Sequence, residues 1–427
     1  MCAMSGGGPA EHRFSRPFDY NPAVSAEAGP TPCRGPMRTA SAFAATLPRR
    51  EGGHGVLRAS DGSRCACSPV LSPRVTVTAP TAVPTPRPPT DTAGEGLRAM
   101  YRSSYRLAPN LFGISFGTAG LAQFWTLARH TTAVPEWPGV ALWITAAVLW
   151  AVTAAAYFAN AASQKRLRSE AAHPTTGPFT ALFPIIPMLL GVALAPYAGS
   201  AGKVVFVIGL VGTIAVGAWL TGAWIRLEMR LTDWHPGYFL PTVAGGLIAA
   251  GCAATFGWVR LSQLMFGYGT VCWVVLGSIL LLRLFTQAAL PAALLPTIAI
   301  EFAPAVVASN AWFTMNGGRA DLVATALAGY ALLMALVQLA LTGSYRKAPF
   351  GPPYWSFAFS YAVGFTVTIR WLQAEHVPAR TEITYALLGV ATLAYGALFA
   401  RTALGLVRGT FLPRLPSTPE AAIRKPS

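Results

Sequence analysis

The chain has 427 residues, 53% of them apolar and only 11% charged, where soluble chains carry roughly a quarter charged residues. Its formal net charge is +16, yet it lacks the dense basic runs of a nucleic-acid binder. Six Cys in that length are too few for a secreted disulfide scaffold, and the class left is a polytopic membrane protein.

Residues 1–95 hold 10 Arg, 7 acidic residues and 14 of the 35 Pro, with no amphipathic period and no long apolar run. That composition buries too little apolar surface to offset its ordering entropy and predicts a disordered tail. No apolar core follows its basic residues, so it does not read as a signal peptide. Arg49-Arg50 is followed by Glu51-Gly-Gly-His54, which argues against a twin-arginine signal. Cys33, His54, Cys65 and Cys67 match no standard zinc spacing and read as incidental, so no metal and no cofactor is expected. Met100 is an alternative start if the tail is an over-extended reading frame.

From residue 107 the chain alternates apolar segments with short polar breaks. Spans are expected near 107–128, 139–160, 174–196, 204–225, 236–256, 263–286, 294–315, 321–342, 353–373 and 383–407. About twenty residues at 1.5 Å each cross a hydrocarbon layer of about 30 Å as a helix, whereas barrel strands need only about ten. The expected fold is all-α, with ten transmembrane helices filling residues 96–410 and a disordered C-terminal tail over 411–427.

Pro109, Pro174, Pro236, Pro296 and Pro353 mark the beginnings of the odd spans, at intervals of 65, 62, 60 and 57 residues. Odd spans also carry internal prolines (Pro184, Pro187, Pro241 and Pro304), and the even spans carry none. A period near 60 with one alternating property implies five copies of a helical hairpin, all in one orientation, related about an axis along the membrane normal. Carbonyls freed by proline need protein or water as partners. The odd helices should therefore form an inner ring, in quasi-fivefold arrangement, and the even ones should face lipid. Glycines such as Gly113, Gly117, Gly120, Gly245 and Gly246 fit a closely packed ring. Five axes about 10 Å apart enclose a lumen of about 3–4 Å radius, which suits a pore for small solutes and which one aromatic ring can close.

Basic residues in the breaks set the orientation. Thirteen lie on the side of the N-terminus, among them Arg102, Lys165, Arg230 and Lys347, against five on the other side. Both termini are expected in the cytoplasm. Glu301 is the only acid well inside a span, so carboxylate-based sodium or metal transport loses ground. Small anions fit if helix ends and the surrounding field supply a weak positive potential.

Arg106-Leu-Ala-Pro-Asn-Leu-Phe-Gly-Ile-Ser-Phe-Gly-Thr-Ala-Gly-Leu121 resembles the first helix of the tellurite-resistance/dicarboxylate transporter family, which includes the plant guard-cell slow anion channels. His173-Pro174 with Phe183-Pro-Ile-Ile-Pro-Met188 is similar to the third helix. His235-Pro-Gly-Tyr-Phe-Leu-Pro-Thr-Val-Ala244 resembles the fifth, Ala303-Pro304 the seventh and Tyr354-Trp-Ser-Phe-Ala-Phe-Ser360 the ninth. The resemblance covers about residues 100–410 and implies five hairpins around a kinked central pore and a homotrimer in the plasma membrane. The anions it implies are of the tellurite, C4-dicarboxylate or chloride and nitrate class. Within Trp355-Ser-Phe-Ala-Phe359, it places the occluding side chain at Phe359.

Gly113, Gly117, Pro184, Pro187, Pro241, Gly245, Pro304, Val307 and Trp355 are the kink and pore-lining candidates. Glu301 departs from the family pattern, which has an aliphatic residue three before that proline. Its alternatives are an ion pair with Arg283 or Arg226, or a proton-exchanging site that makes the protein a proton-coupled dicarboxylate or tellurite carrier. Arg370 is a candidate outer-mouth charge, with Glu375 as an alternative partner. A membrane-embedded lipid-linked transferase would need clustered titratable groups at one interface. The nearest approach, Arg226, Glu228, Arg230, Asp233 and His235, reads as a salt-bridged loop, so no enzyme is expected. The expected partners are small anions and the lipid bilayer.

Overall fold

Proline decides how each odd span begins. The computed structural model describes residues 107–163, 173–227 and 229–412. The expectations for the tails, including the incidental cysteines, lie outside those residues, except that 411 and 412 are described. Pro109–Leu111, Gly177–Ala181, Pro236–Phe239, Ala292–Phe302 and Pro352–Tyr354 are 310 lead-ins, and a π turn, Leu240–Ala244, extends the third. Proline lacks an N–H and fixes φ, which suits a first turn and breaks the ladder further in. The lead-in at Ala292–Phe302 is 11 residues long, well beyond the usual three or four for a 310 run, with Pro296 inside it and Pro304 just after it.

An α-helix follows each lead-in and a second, longer one returns. In chain order they are α1 (Phe112–Ala128), α2 (Trp137–Ser163), α3 (Leu182–Leu194), α4 (Gly199–Arg226), α5 (Gly245–Thr255), α6 (Val259–Thr286), α7 (Ala303–Met315), α8 (Leu322–Ala340), α9 (Trp355–Ala374) and α10 (Arg380–Val407). No strand occurs among the described residues. The third span starts at Gly177 rather than at Pro174, which sits in the preceding turn. Helix α2 starts two residues earlier than expected and holds Pro138 in its first turn, where a missing N–H costs nothing.

Among the described residues, nine helices are long and apolar enough to cross a membrane. Helix α9 is not one of them; at 20 residues it has the length, but Arg370 and its hydroxyl side chains lower its hydropathy.

The odd helices close on themselves: α1 touches α3, α3 touches α5, α5 touches α7, α7 touches α9, and α9 returns to α1. Each even helix packs outside its preceding odd partner. In the four odd spans with a qualifying apolar window, 67–83% of that window is buried, against 17–33% in the even ones. Val148, Ile208, Val274, Leu339 and Leu393 leave the outer surface apolar, as lipid contact requires.

The broken backbone of the inner ring finds partners. Pro187 cannot bond the Phe183 carbonyl four residues back, and the Trp150 indole of α2 donates to that oxygen at 2.9 Å. For Pro241 and Pro304 the carbonyls four back are taken locally, by Leu240 N–H to Gly237 O and Ala303 N–H to Ile300 O. Other outer helices also reach inward: Ser262 Oγ donates to Ala250 O at 2.8 Å, Gln338 Nε2 to Ile298 O at 3.1 Å, and Tyr395 Oη to Ala358 O. Backbones approach closely at glycine. A Cβ on Gly202 would lie 2.6 Å from Gly191 O, and one on Gly246 2.7 Å from Gly269 Cα; small residues permit such contacts in bundles.

Two short caps repeat along the chain. The Thr175 N–H donates to His173 Nδ1 and the Gly237 N–H to His235 Nδ1, each at 3.2 Å. The two His-Pro steps are thus one structural motif used twice. At the opposite end, Asp321 caps α8 by accepting from Ala324 N–H at 2.9 Å and also accepts from the Trp312 indole. The Ala324 N–H foremost holds this carboxyl below the usual carboxylate range.

Candidate functional site

One cavity draws its walls from all five odd spans: Asn110, Gly113 and Phe116 from the first, Phe179 and Leu182 from the third, Phe239, Leu240, Val243, Ala244 and Leu247 from the fifth, Ile300, Ala303, Pro304 and Val307 from the seventh, and Pro352, Trp355, Ser356, Phe359 and Ser360 from the ninth. It lies where the 310 lead-ins turn into helix. Its volume is about 40 Å³, room for a few waters at most. No charged side chain lines it, and its polar side chains are those of Asn110, Ser356 and Ser360.

Phe359 is one of the residues that line the cavity. Its ring stacks face to face on Phe116, with centroids 3.7 Å apart and planes at 15°, and it is 4% exposed. Behind it stands Gly120, where a Cβ would come within 3.0 Å of Phe359 Cδ2. One turn earlier on α9, the Trp355 indole donates to Thr402 Oγ1 at 3.1 Å and meets Phe399 edge to face. The two aromatic residues of the Trp-x-Phe-x-Phe run that face inward are therefore held differently, Trp355 by α10 and Phe359 by α1.

Of the kink and lining candidates, Gly113, Pro304, Val307 and Trp355 line the cavity together with Phe359. Gly117, Pro184, Pro187, Pro241 and Gly245 do not. Gly117 meets Ala358, where a Cβ would come within 2.4 Å of the alanine Cβ; Pro184 packs on Gly209 and Gly212; Pro241 O lies against Gly217; and Gly245 meets Thr213. At about 100° per residue these positions turn toward a neighbouring helix, and their small size or broken ladder serves packing and bending.

Glu301 follows Ile300, which lines the cavity, but the 310 rotation carries it to the far side of the lead-in. It is 3% exposed, Oε1 has no hydrogen-bond partner, and no ion pair joins it to Arg283 or Arg226 among the described residues. Arg283 instead donates to Thr232 O at 3.4 Å. Arg370, at the far end of α9, makes no ion pair with Glu375; its Nε donates to Asn310 Oδ1 at 2.8 Å and its Nη2 to Thr314 Oγ1 at 3.1 Å. No group of three or more His, Cys, Asp or Glu that could hold a metal occurs among the described residues.

Phe116, the stacking partner, and Asn110, whose buried Oδ1 has no partner, were not singled out in the sequence. Their signal was there: positions 110, 113 and 116 fall on one face of the first span, and Gly113 was already a lining candidate.

The chain matches the SLAC1 family, described as voltage-dependent anion channel, over residues 106–403. It belongs to that family. It is 28% identical over 266 residues to the tellurite resistance protein TehA homolog of Haemophilus influenzae, covering 60% of this chain and 79% of that protein. It is 26% identical over 188 residues to the guard cell S-type anion channel SLAC1 of Arabidopsis thaliana, covering 44% of this chain and 33% of that one. Family membership makes this multi-pass helical chain an anion channel or transporter of the membrane and not an enzyme.

Proposed function

We propose that the chain carries small anions of the tellurite, C4-dicarboxylate or chloride and nitrate class along the axis of the odd-helix ring, with Phe359 as the occluding side chain. The observation that carries this reading is one cavity lined by residues of all five odd spans, among them the stacked rings of Phe359 and Phe116. An aromatic plug in a lumen a few ångströms wide blocks a partly hydrated ion sterically and by excluding water. We further propose a homotrimer in the plasma membrane with both termini cytoplasmic, supported by the family resemblance and the basic loops. The test is flux of chloride, nitrate, malate and tellurite into liposomes holding the purified protein, with and without a proton gradient. Phe359→Ala should raise anion conductance about tenfold or more by removing a hydrophobic constriction. Unchanged conductance in a folded variant removes the assignment.

A second reading, a proton-coupled carrier, is favoured by Glu301. A buried carboxyl whose Oε1 has no hydrogen-bond partner is costly to keep charged, and taking up a proton relieves that cost. On this reading Glu301→Gln flattens the pH dependence of flux and abolishes its response to a proton gradient. Identical pH profiles in both proteins leave Glu301 a structural residue.

A further inference from the structure

We propose that Arg370 forms a selective binding site for planar oxyanions, carboxylate or nitrate, at the mouth of the conduit opposite the Phe359 plug. The inference rests on the anion pathway proposed above and names the group that sorts what enters it.

The first support is position. Arg370 lies 11 residues after Phe359 on α9. At about 1.5 Å and 100° per residue, that places it about 16 Å farther along the helix on nearly the same face. Val307, which lines the cavity on α7, is followed on that face by Asn310 and Thr314. The two inward faces that meet at the plug thus meet again at Arg370.

The second support is how the guanidinium is held. Nε donates to Asn310 Oδ1 and Nη2 to Thr314 Oγ1. Thr314 spends its own proton on Asn310 O at 2.9 Å, so its oxygen faces the guanidinium as an acceptor. These bonds occupy the side edge of the guanidinium and fix its plane. They leave the terminal edge, one proton of Nη1 and one of Nη2, without a partner among the described residues. That edge is a fork of parallel N–H donors, the geometry that matches two oxygens of a planar oxyanion and not a spherical halide.

The third support is space. Arg370 opens onto a vestibule of about 480 Å³, also lined by Arg319, Gln373, Glu375 and His376. The pocket lies between Gly318, Arg319 and Ala320 of the α7–α8 loop and the end of α9, and it admits a dicarboxylate as well as nitrate. Glu375 on the rim opposes an anion. Arg319, pinned by its Nε to Asn316 O at 3.1 Å, offsets it, so the guanidinium of Arg370 decides the local sign.

Two measurements test this on the full-length protein. In the first, thermal stabilisation of the purified protein is followed with sodium nitrate, acetate, malate or chloride at equal ionic strength. Ligand binding to the folded state alone raises the melting temperature. Nitrate and the carboxylates should stabilise wild type beyond chloride, and the difference should vanish in Arg370→Lys, which keeps the charge and loses the fork. Thr314→Val, which frees the guanidinium to turn, should fall between. In the second, the nitrate-to-chloride flux ratio in liposomes should drop about tenfold in Arg370→Lys while chloride flux persists, as expected for losing a bidentate, charge-assisted pair. A preference for nitrate without one for acetate or malate marks a site for small inorganic oxyanions; the reverse marks carboxylates, and either supports the proposal. Equal stabilisation by all four salts in wild type, or an unchanged oxyanion preference in Arg370→Lys, overturns it. Binding is read without transport, so absence of any flux would sink the pathway and leave this site to be judged on the first measurement.

Discussion

The two ends of the inner ring are built from opposite materials. The end at the 310 lead-ins is narrow and apolar, with about 40 Å³ of space lined in part by the stacked Phe359 and Phe116. Near the other end, Arg370, Arg319, Glu375 and His376 line a polar pocket of about 480 Å³ between the α7–α8 loop and the end of α9. On the proposed pathway an ion would lose water at the first and find charge at the second. If the proposed pathway holds, the difference separates two tasks that one site performs poorly together: a hydrophobic constriction sets how often an ion passes without favouring one species, and a fixed cation discriminates but slows release if it is too strong. Helix α9 carries both groups, at one end and near the other.

That separation predicts how substitutions combine. Phe359→Ala has the largest expected effect, the tenfold or greater rise in conductance stated above. It should leave the nitrate-to-chloride ratio where it was, because the fork lies about 16 Å away along α9. The double variant Phe359→Ala with Arg370→Lys should show the high conductance of the first and the flattened selectivity of the second, since sites farther apart than about 10 Å with no shared partner act independently. Liposome flux of the four variants measures this directly. If opening the plug also changed the selectivity, or if the lysine changed the conductance of the open variant several-fold, the two tasks would not be separable.

How much of this was legible depends on what each feature is made of. The ring was readable because proline is a covalent fact: a residue without an N–H every sixty or so positions imposes broken helices wherever the chain goes, and the structure puts those helices inside. The assignment to Phe359 came only from the resemblance of the Trp355-Ser-Phe-Ala-Phe359 run to the family's ninth helix, because a phenylalanine on a buried face is otherwise indistinguishable from a core residue. Gly117, Pro184, Pro241 and Gly245 show the limit. Their residue types fit either a lumen or a tight helix contact, and the choice turns on a rotation of some 100° that 310 and π turns shift locally. The Arg370 fork was beyond reach for a different reason. Its orientation depends on Asn310 and Thr314, sixty and fifty-six residues away in sequence, and the nearer charge, Glu375, is the partner a linear reading offers first.

The apolar end also depends on a neighbour it does not contain. Phe183, next to the lining residue Leu182, has a carbonyl that Pro187 cannot serve, and Trp150 of α2 supplies the N–H. Its indole also stacks on the Phe183 ring at 5.5 Å, so Trp150→Phe keeps an aromatic face and removes one donor. In a membrane interior no water replaces it, and an unsatisfied buried carbonyl costs about 1–3 kcal/mol. The variant should therefore melt at a lower temperature in detergent by the several degrees that such a loss implies, with selectivity at the Arg370 end untouched. Trp143→Phe, on the same helix, is the matched comparison. Its indole donates to Thr126 Oγ1 at 3.1 Å, a hydroxyl that already donates to Ala122 O and loses no backbone partner. If the two variants melted together, the proline-freed carbonyl would not be what Trp150 secures, and α2 would hold the narrow end by packing alone.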